Sequence, residues 1–380
     1  MTVPSDVDAT RRAWAYLSAV AEPPCAAVVE LCTELGPVEA AAAIKTRSVP
    51  PGHQSVLDAT AARADSDTTA KDLDTAERIG ARLITRDDDE WPGWALLALS
   101  QADTATRGGE PLVLWARGPG RLDEMASSGV ALIGARAASS YGEQVTSMLA
   151  SGIVLEGRSI TSGGAYGIDG VAHRAALASD GQTMAVMACG IDRDYPSGHA
   201  RLLAAIAGSG LVVSEYPPGT TAAKHRFLTR NRLVAAMSSA VVVVEAGRRS
   251  GAANTAAWAR KLGRPLGAVP GPVTSATSVG CHRMIADGLA DLVTDVGSVL
   301  ALATPDTGTD VGRGPDRPTD DLSDDQKRVH DAIPGTGAVT ISEIAFAAGL
   351  DLPVVRTALA HMEIKGLVSN VDGCWRLSTS

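Results

Sequence analysis

The chain has 380 residues, 45% hydrophobic and 20% charged, with a formal net charge of −9 and 3% aromatic residues. This length allows two or three domains, each with a core built mostly from Ala, Val and Leu, and the composition excludes a disordered or fibrous chain. No run approaches the roughly 18 apolar residues of a membrane helix, and Met1-Thr2-Val3-Pro4-Ser5-Asp6 does not open a signal peptide.

The five scattered cysteines lack Cys-x-x-Cys spacing. They therefore point to reduced thiols in a cytoplasm and away from a zinc site. Residues 1–75 read as short helices, because Trp14, Leu17 and Val20, then Val28, Val29, Leu31 and Leu35, recur near the helical period. Residues 76–125 are transitional, with a strand predicted at Leu112-Val113-Leu114-Trp115. From Val130 to Leu302, short apolar runs alternate with amphipathic segments. The runs predict strands at Val130–Ile133, Ser159–Thr161, Thr183–Met187, Leu211–Ser214, Ala240–Val244 and Leu266–Val269. Helical spacing appears in Val145, Met148, Leu149, Gly152 and Ile153, and again in Ile168, Val171, Ala172, Ala175 and Ala176. Strands apolar on both faces and separated by helices predict an α/β, Rossmann-like, mostly parallel sheet.

Residues 303–321 are rich in Pro, Gly, Thr and Asp and read as a linker. In residues 322–380, helices near Asp325–Ala332, Ser342–Ala348 and Pro353–Ile364, a turn at Gly349 and a closing hairpin predict a winged helix. Its five Lys/Arg against seven acids favour a protein contact over duplex DNA.

Ligands of open parallel sheets lie beyond the carboxyl ends of the strands. Four loops there suit phosphate: Gly134–Ser140, Ser162–Gly167, Gly247–Gly251 and Pro270-Gly271. A dinucleotide fingerprint would need glycine where Arg136 and Ser139 stand, and no Gly-x-x-x-x-Gly-Lys-Ser/Thr is present. No nucleotide cofactor is therefore expected. Between Tyr216 and Ala286, ten Lys/Arg accompany one acid, Glu245, an electrostatic footprint for a polyanion. The densest cluster is Lys224, Arg226, Arg230 and Arg232, with Phe227 among them as either a base-stacking ring or a core anchor. Tyr166, in its glycine-rich loop, carries the same alternatives. Thr229 is read as the cap of a helix whose first turn holds Arg230 and Arg232, cations that a bound anion would relieve. Asp169 and His173, four residues apart, read as a local ion pair or as helix support; Glu215 and Glu245 are the alternative acids for a hydrolase.

The run Ile133–Ser139, Ser162-Gly163-Gly164-Ala165, Gly167-Ile168-Asp169, Ala172-His173-Arg174, Gly190-Ile191-Asp192, Tyr195-Pro196 and Ser214–Thr220 resembles the DNA-processing protein A (DprA, also called Smf) family. The match continues through Phe227, Arg230-Asn231-Arg232, Val244-Glu245-Ala246, Ser250-Gly251, Gly263-Arg264 and Pro270-Gly271. The resemblance implies a sterile-alpha-motif-like helical domain over 1–75, an extended Rossmann-like domain over 76–302 and a winged helix over 322–380. It also implies single-stranded DNA as ligand, the RecA recombinase as partner, a homodimer and no enzymatic activity. The expected DNA-binding residues are Arg136, Ser139, Ser162, Gly163, Gly164, Gly167, Lys224, Arg226, Phe227, Arg230, Asn231, Arg232, Ser250 and Gly251. Three places depart from the family pattern: Gly163-Gly164-Ala165 for Gly-Leu-Ala, His282 for Asn, and Ala21-Glu22-Pro23-Pro24 for a Gly-x-Gly hairpin. A nucleotide-processing hydrolase of a related fold is the alternative reading, and a winged-helix transcription regulator a third.

Overall fold

The apolar runs become strands whose order follows from the connections between them. The structure, a computed structural model, describes residues 6–102, 108–248, 250–304, 319 and 322–378. The strands are β1 (Ala81–Ile84), β2 (Leu114–Arg117), β3 (Val130–Gly134), β4 (Ile160–Ser162), β5 (Thr183–Met187), β6 (Leu211–Ser214), β7 (Ala240–Glu245), β8 (Leu266–Ala268) and β9 (Asp291–Leu292). Among the described residues they form one sheet in the order β1-β2-β6-β5-β4-β3-β7-β8-β9. The strands from β3 to β9 pair in parallel, joined by the helical crossovers that parallel pairing requires. The pairs β1·β2 and β2·β6 are antiparallel.

Alternation along each strand fills both faces. Ala131 and Ile133 of β3 pack with Leu233 and Trp258, whereas Val130 and Leu132 pack with Leu149 and Ala172. Two strands escape the sequence pattern. β1 is short and half-exposed at Ala81 and Arg82, and β9 is a two-residue exposed edge. β2 lies two residues beyond the predicted run, because its ladder with β6 begins at Trp115 while Leu112 and Val113 pack against the N-terminal helices.

Those helices (Asp6–Val20, Ala26–Leu35, Pro37–Lys45, Gln54–Thr60 and Thr69–Arg78) pack on one another, the last of them also against β1. Trp14, Leu17, Leu31 and Ile44 share one cluster with Trp115, Ala185 and Val212. Their shared cluster runs on into the sheet, and the first compact unit of the chain spans residues 1–309.

The second unit, residues 310–380, is described by itself. Its strands β10 (Val339–Thr340), β11 (Val368–Val371) and β12 (Cys374–Leu377) pair in the order β10-β12-β11. Three helices (Asp324–Asp331, Ile341–Ala348 and Leu352–Ile364) enclose Val329, Ile344, Leu359 and Met362. Gly349 ends the second helix with φ +62°, the left-handed turn its sequence position announces. This is a winged helix. Most of the expected linker over 303–321 lies outside the described residues.

Candidate nucleic-acid interface

Strand order reverses between β3 and β7, and at such a switch point the loops leaving the two strands part to form a crevice. A cleft of about 790 Å³ opens there. Its walls come from the loop after β3 (Gly134–Ala137), the loop after β4 (Gly163, Ala165), the loop after β7 (Gly247, Ser250, Gly251) and the helix Lys224–Ala236. That helix starts at the carboxyl edge because β6 ends there. It presents Lys224, Phe227, Leu228 and Asn231 to the cleft, the i, i+3, i+4, i+7 stripe of one helical face.

The upper wall carries charge beside aromatic surface. Exposed Arg136 holds its guanidinium 5.3 Å from the centre of the Phe227 ring, and Phe227 in turn lies 5.3 Å from Tyr195 in a tilted pair. A cation above a ring with a second ring alongside suits a base and its phosphate together. Ser250 caps the helix Gly251–Lys261 by accepting from the Ala253 N–H at 3.3 Å. Asn231 donates to Asn254 at 3.1 Å, which ties the helices on either side of the cleft.

The other cations of the cluster are buried or paired within the protein. Arg230 is only 4% exposed and forms the floor of the cleft, donating to the carbonyls of Gly163 and Val186. Burial pushes its pKa down, opposed by the carboxylate of buried Asp169, whose own pKa burial pushes up against the pull of Arg230. A Cβ on Gly163 would collide with this guanidinium, so glycine there is a packing requirement. Arg232 is wholly buried and donates to Glu215 at 2.6 Å. Arg226 gives Nε and Nη2 to Glu22 at 2.8 and 3.0 Å. The helical period thus sends these cations to different sides: Arg226 and Arg232 turn away from the cleft, and Arg230 stays in it as the floor. The helix also begins at Lys224 rather than after Thr229, which is buried in its middle.

Ser139, Ser162, Gly164 and Gly167 do not line the cleft. Ser162 is buried and donates to the Leu132 carbonyl at 2.7 Å. Ser139 caps the helix Ser140–Leu155 and donates from Oγ to Glu245 at 2.5 Å and from its N–H at 2.9 Å. Thr277 also donates to Glu245, at 2.8 Å. The anion position at that helix start, where a Rossmann enzyme seats a nucleotide phosphate, is thus filled by the protein's own carboxylate. A Cβ on Gly142 would strike the same carboxylate. Asp169 and His173 are not paired as expected. His173 hydrogen-bonds Thr183 at 2.7 Å, and burial lowers its pKa to about 3. Arg249 lies outside the described residues.

Comparison with known proteins carries these observations to a family. The model of DNA recombination-mediator protein A matches residues 82–304, more than half of the chain. The chain belongs to this family. A model of the DprA winged helix domain matches residues 313–373. A DNA processing protein DprA of Mycobacterium tuberculosis is 52% identical over 375 residues, covering 98% of this chain and 95% of that protein. Protein Smf of Escherichia coli is 36% identical over 262 residues, 67% of this chain and 69% of Smf. The X-ray structure of Streptococcus pneumoniae DprA aligns with a TM-score of 0.63 at 30% identity, covering 79% of this chain and 98% of that one. A Helicobacter pylori DNA processing protein A, whose structure concerns its single-stranded DNA binding mode, aligns with a TM-score of 0.51 at 29% identity, covering 59% and 96%.

Besides glycines and aliphatic residues, the cleft of this family member is lined by four residues that the sequence reading did not single out as DNA contacts: Asp169, Tyr195, Thr255 and Thr277. Tyr195 and Asp169 stand inside motifs that carry the resemblance, so a signal was present. Thr255 and Thr277 are brought in by folding alone. His282, where the family usually has Asn, lies 2.9 Å from the Gly271 carbonyl and closes the loop after β8.

Proposed function

We propose that the chain binds single-stranded DNA without sequence preference along the switch-point cleft and delivers a RecA recombinase to it during DNA uptake or recombination. The observation that carries the reading is Arg136 over Phe227 beside Tyr195, in a cleft lined by glycine-rich loops. The H. pylori relative and its single-stranded DNA binding mode support the same ligand class. Arg136, Gly163, Lys224, Phe227, Asn231, Ser250 and Gly251 form the proposed contact set, with Arg230 supporting them from below.

The proposal includes a homodimer acting in the cytoplasm, by binding rather than turnover and without a cofactor. The commitment of Glu245 to Ser139 and Thr277, and the burial of Glu215 against Arg232, support binding over hydrolysis, because neither carboxylate is placed to activate water. A gel shift with single strand, duplex and mononucleotide competitors tests the ligand. The single strand is expected to compete best, and preference for duplex or mononucleotide would overturn the reading. The rate of RecA filament formation on single strands, with and without the protein, tests delivery.

A further inference from the structure

The departure Ala21-Glu22-Pro23-Pro24 lies away from the cleft, yet Glu22 reaches the first turn of the cleft helix. Its Oε1 accepts from Arg226 Nε at 2.8 Å and lies 3.3 Å from His225 Nε2. Its Oε2 accepts from Arg226 Nη2 at 3.0 Å and from Arg63 Nη2 at 2.5 Å. Burial opposes ionisation of Glu22, but the hydrogen bonds from Arg226 and Arg63 outweigh it and hold the carboxyl at about 2. Three basic side chains, 41 and more than 200 residues away in sequence, converge on one anion. Forked guanidinium donors around an oxyanion are equally the geometry of a phosphate site.

A groove of about 380 Å³ opens beside this cluster, lined by Lys71, Thr68, Thr220 and Thr221 among others. The main cleft is lined by Ala222, Ala223 and Lys224. The two depressions therefore flank one short segment, Thr220–Arg226, and a strand leaving the cleft past Lys224 meets the groove next.

We propose that Arg63, His225 and Arg226 form a second subsite for a backbone phosphodiester of the bound strand, with Glu22 as a built-in counter-anion that weakens binding there. The inference rests on the reading of the main cleft as a single-stranded DNA interface. Arg226 does not depend on Glu22 for its place. Its Nη1 donates to the Thr221 carbonyl at 2.5 Å, and its guanidinium lies 5.2 Å from the centre of the Tyr216 ring. Removing the carboxylate therefore leaves a positioned, uncompensated cation rather than a loose side chain.

The test uses the full chain, a labelled oligothymidylate and a salt series, with melting temperature recorded for each variant. Glu22→Gln is expected to tighten binding at low salt about two- to fivefold and to steepen the salt slope by about 0.7, the increment of one further phosphate. Arg63→Ala in that background should return part of the gain. Glu156→Gln, the same change of charge beyond the end of the helix Ser140–Leu155 and so at the opposite edge of the sheet, should leave both quantities unchanged. Glu22→Ser gives the same reading if the Gln variant does not fold. Orthophosphate at constant ionic strength should not reverse the gain, and reversal would assign the subsite to a free anion and overturn the proposal. Weaker or unchanged binding by the Glu22 variants, with wild type binding normally, would overturn this inference alone. Failure of the wild type to bind single strands would instead remove the reading on which it rests.

Discussion

Arg136 holds its guanidinium over the Phe227 ring from an exposed loop, whereas Arg230, three residues after Phe227, gives its donors to buried carbonyls. Replacing Arg136 by Ala should weaken single-strand binding about tenfold with an unchanged melting temperature, and Lys should recover only part of the loss because it lacks the planar fork. Phe227→Ala should cost about 1–3 kcal/mol of affinity, the scale of one lost base stack, and Trp should restore it. Arg230→Ala should instead destabilise the fold by about 1–3 kcal/mol in denaturant titration, since the carbonyls of Gly163 and Val186 lose their donor. An unchanged denaturation midpoint in that variant would remove Arg230 from the floor of the cleft. His173 carries a pH signature. Burial lowers its pKa from 6.5 to about 3, so below pH 6.5 the unfolded chain takes a proton that the native state refuses. Stability should fall as pH drops through that window, by at most about 1.4 kcal/mol per unit, and His173→Gln should flatten the profile.

At the scale of elements, what was legible in the sequence is what a buried parallel strand must be. Thr183–Met187 and Leu211–Ser214 are recovered residue for residue, because both faces of β5 and β6 are covered and every position along them is buried. Edge strands β1 and β9 carry no such constraint. The cleft helix was legible as a cationic cluster but not as a surface, because composition does not state where the helix starts. In the helix that runs from Lys224, Arg226 turns to Glu22 and Arg232 to buried Glu215, while Arg230 lies under Lys224, Phe227 and Asn231 in the cleft. Glu245 was read as a candidate acid. Its three hydrogen bonds to Ser139 and Thr277 make it the staple between the loop after β3 and the end of β7. Glu245→Ala should lower stability by about 1.5–3 kcal/mol, the range for hydrogen bonds to a charged group, and should create or remove no nucleotide turnover. Turnover in wild type that this variant abolishes would restore the hydrolase reading.

For the whole molecule, the excess of positive charge between Tyr216 and Ala286 is less a surface patch than its sequence suggests. Arg232 is buried with Glu215, Arg226 is paired with Glu22, and Arg264 donates to the carbonyls of Ala95 and Ala236. Affinity should therefore come from a few placed cations and rings more than from net charge. All cleft residues belong to the unit over 1–309, so a chain ending at Thr309 should keep its single-strand affinity within about twofold, a change of roughly 0.4 kcal/mol. Loss beyond that would bring the winged helix into DNA binding. The most direct measurement is the slope of log affinity against log salt for wild type, Arg136→Ala and Phe227→Ala on one oligothymidylate. With about five phosphates neutralised, wild type should give a slope of roughly −3.5, and Arg136→Ala should make it shallower by about 0.7. Phe227→Ala should lose affinity at every salt concentration and keep the wild-type slope, because a ring releases no counterion. A flat wild-type response, or two variants indistinguishable from wild type, would contradict a DNA path across the switch-point cleft.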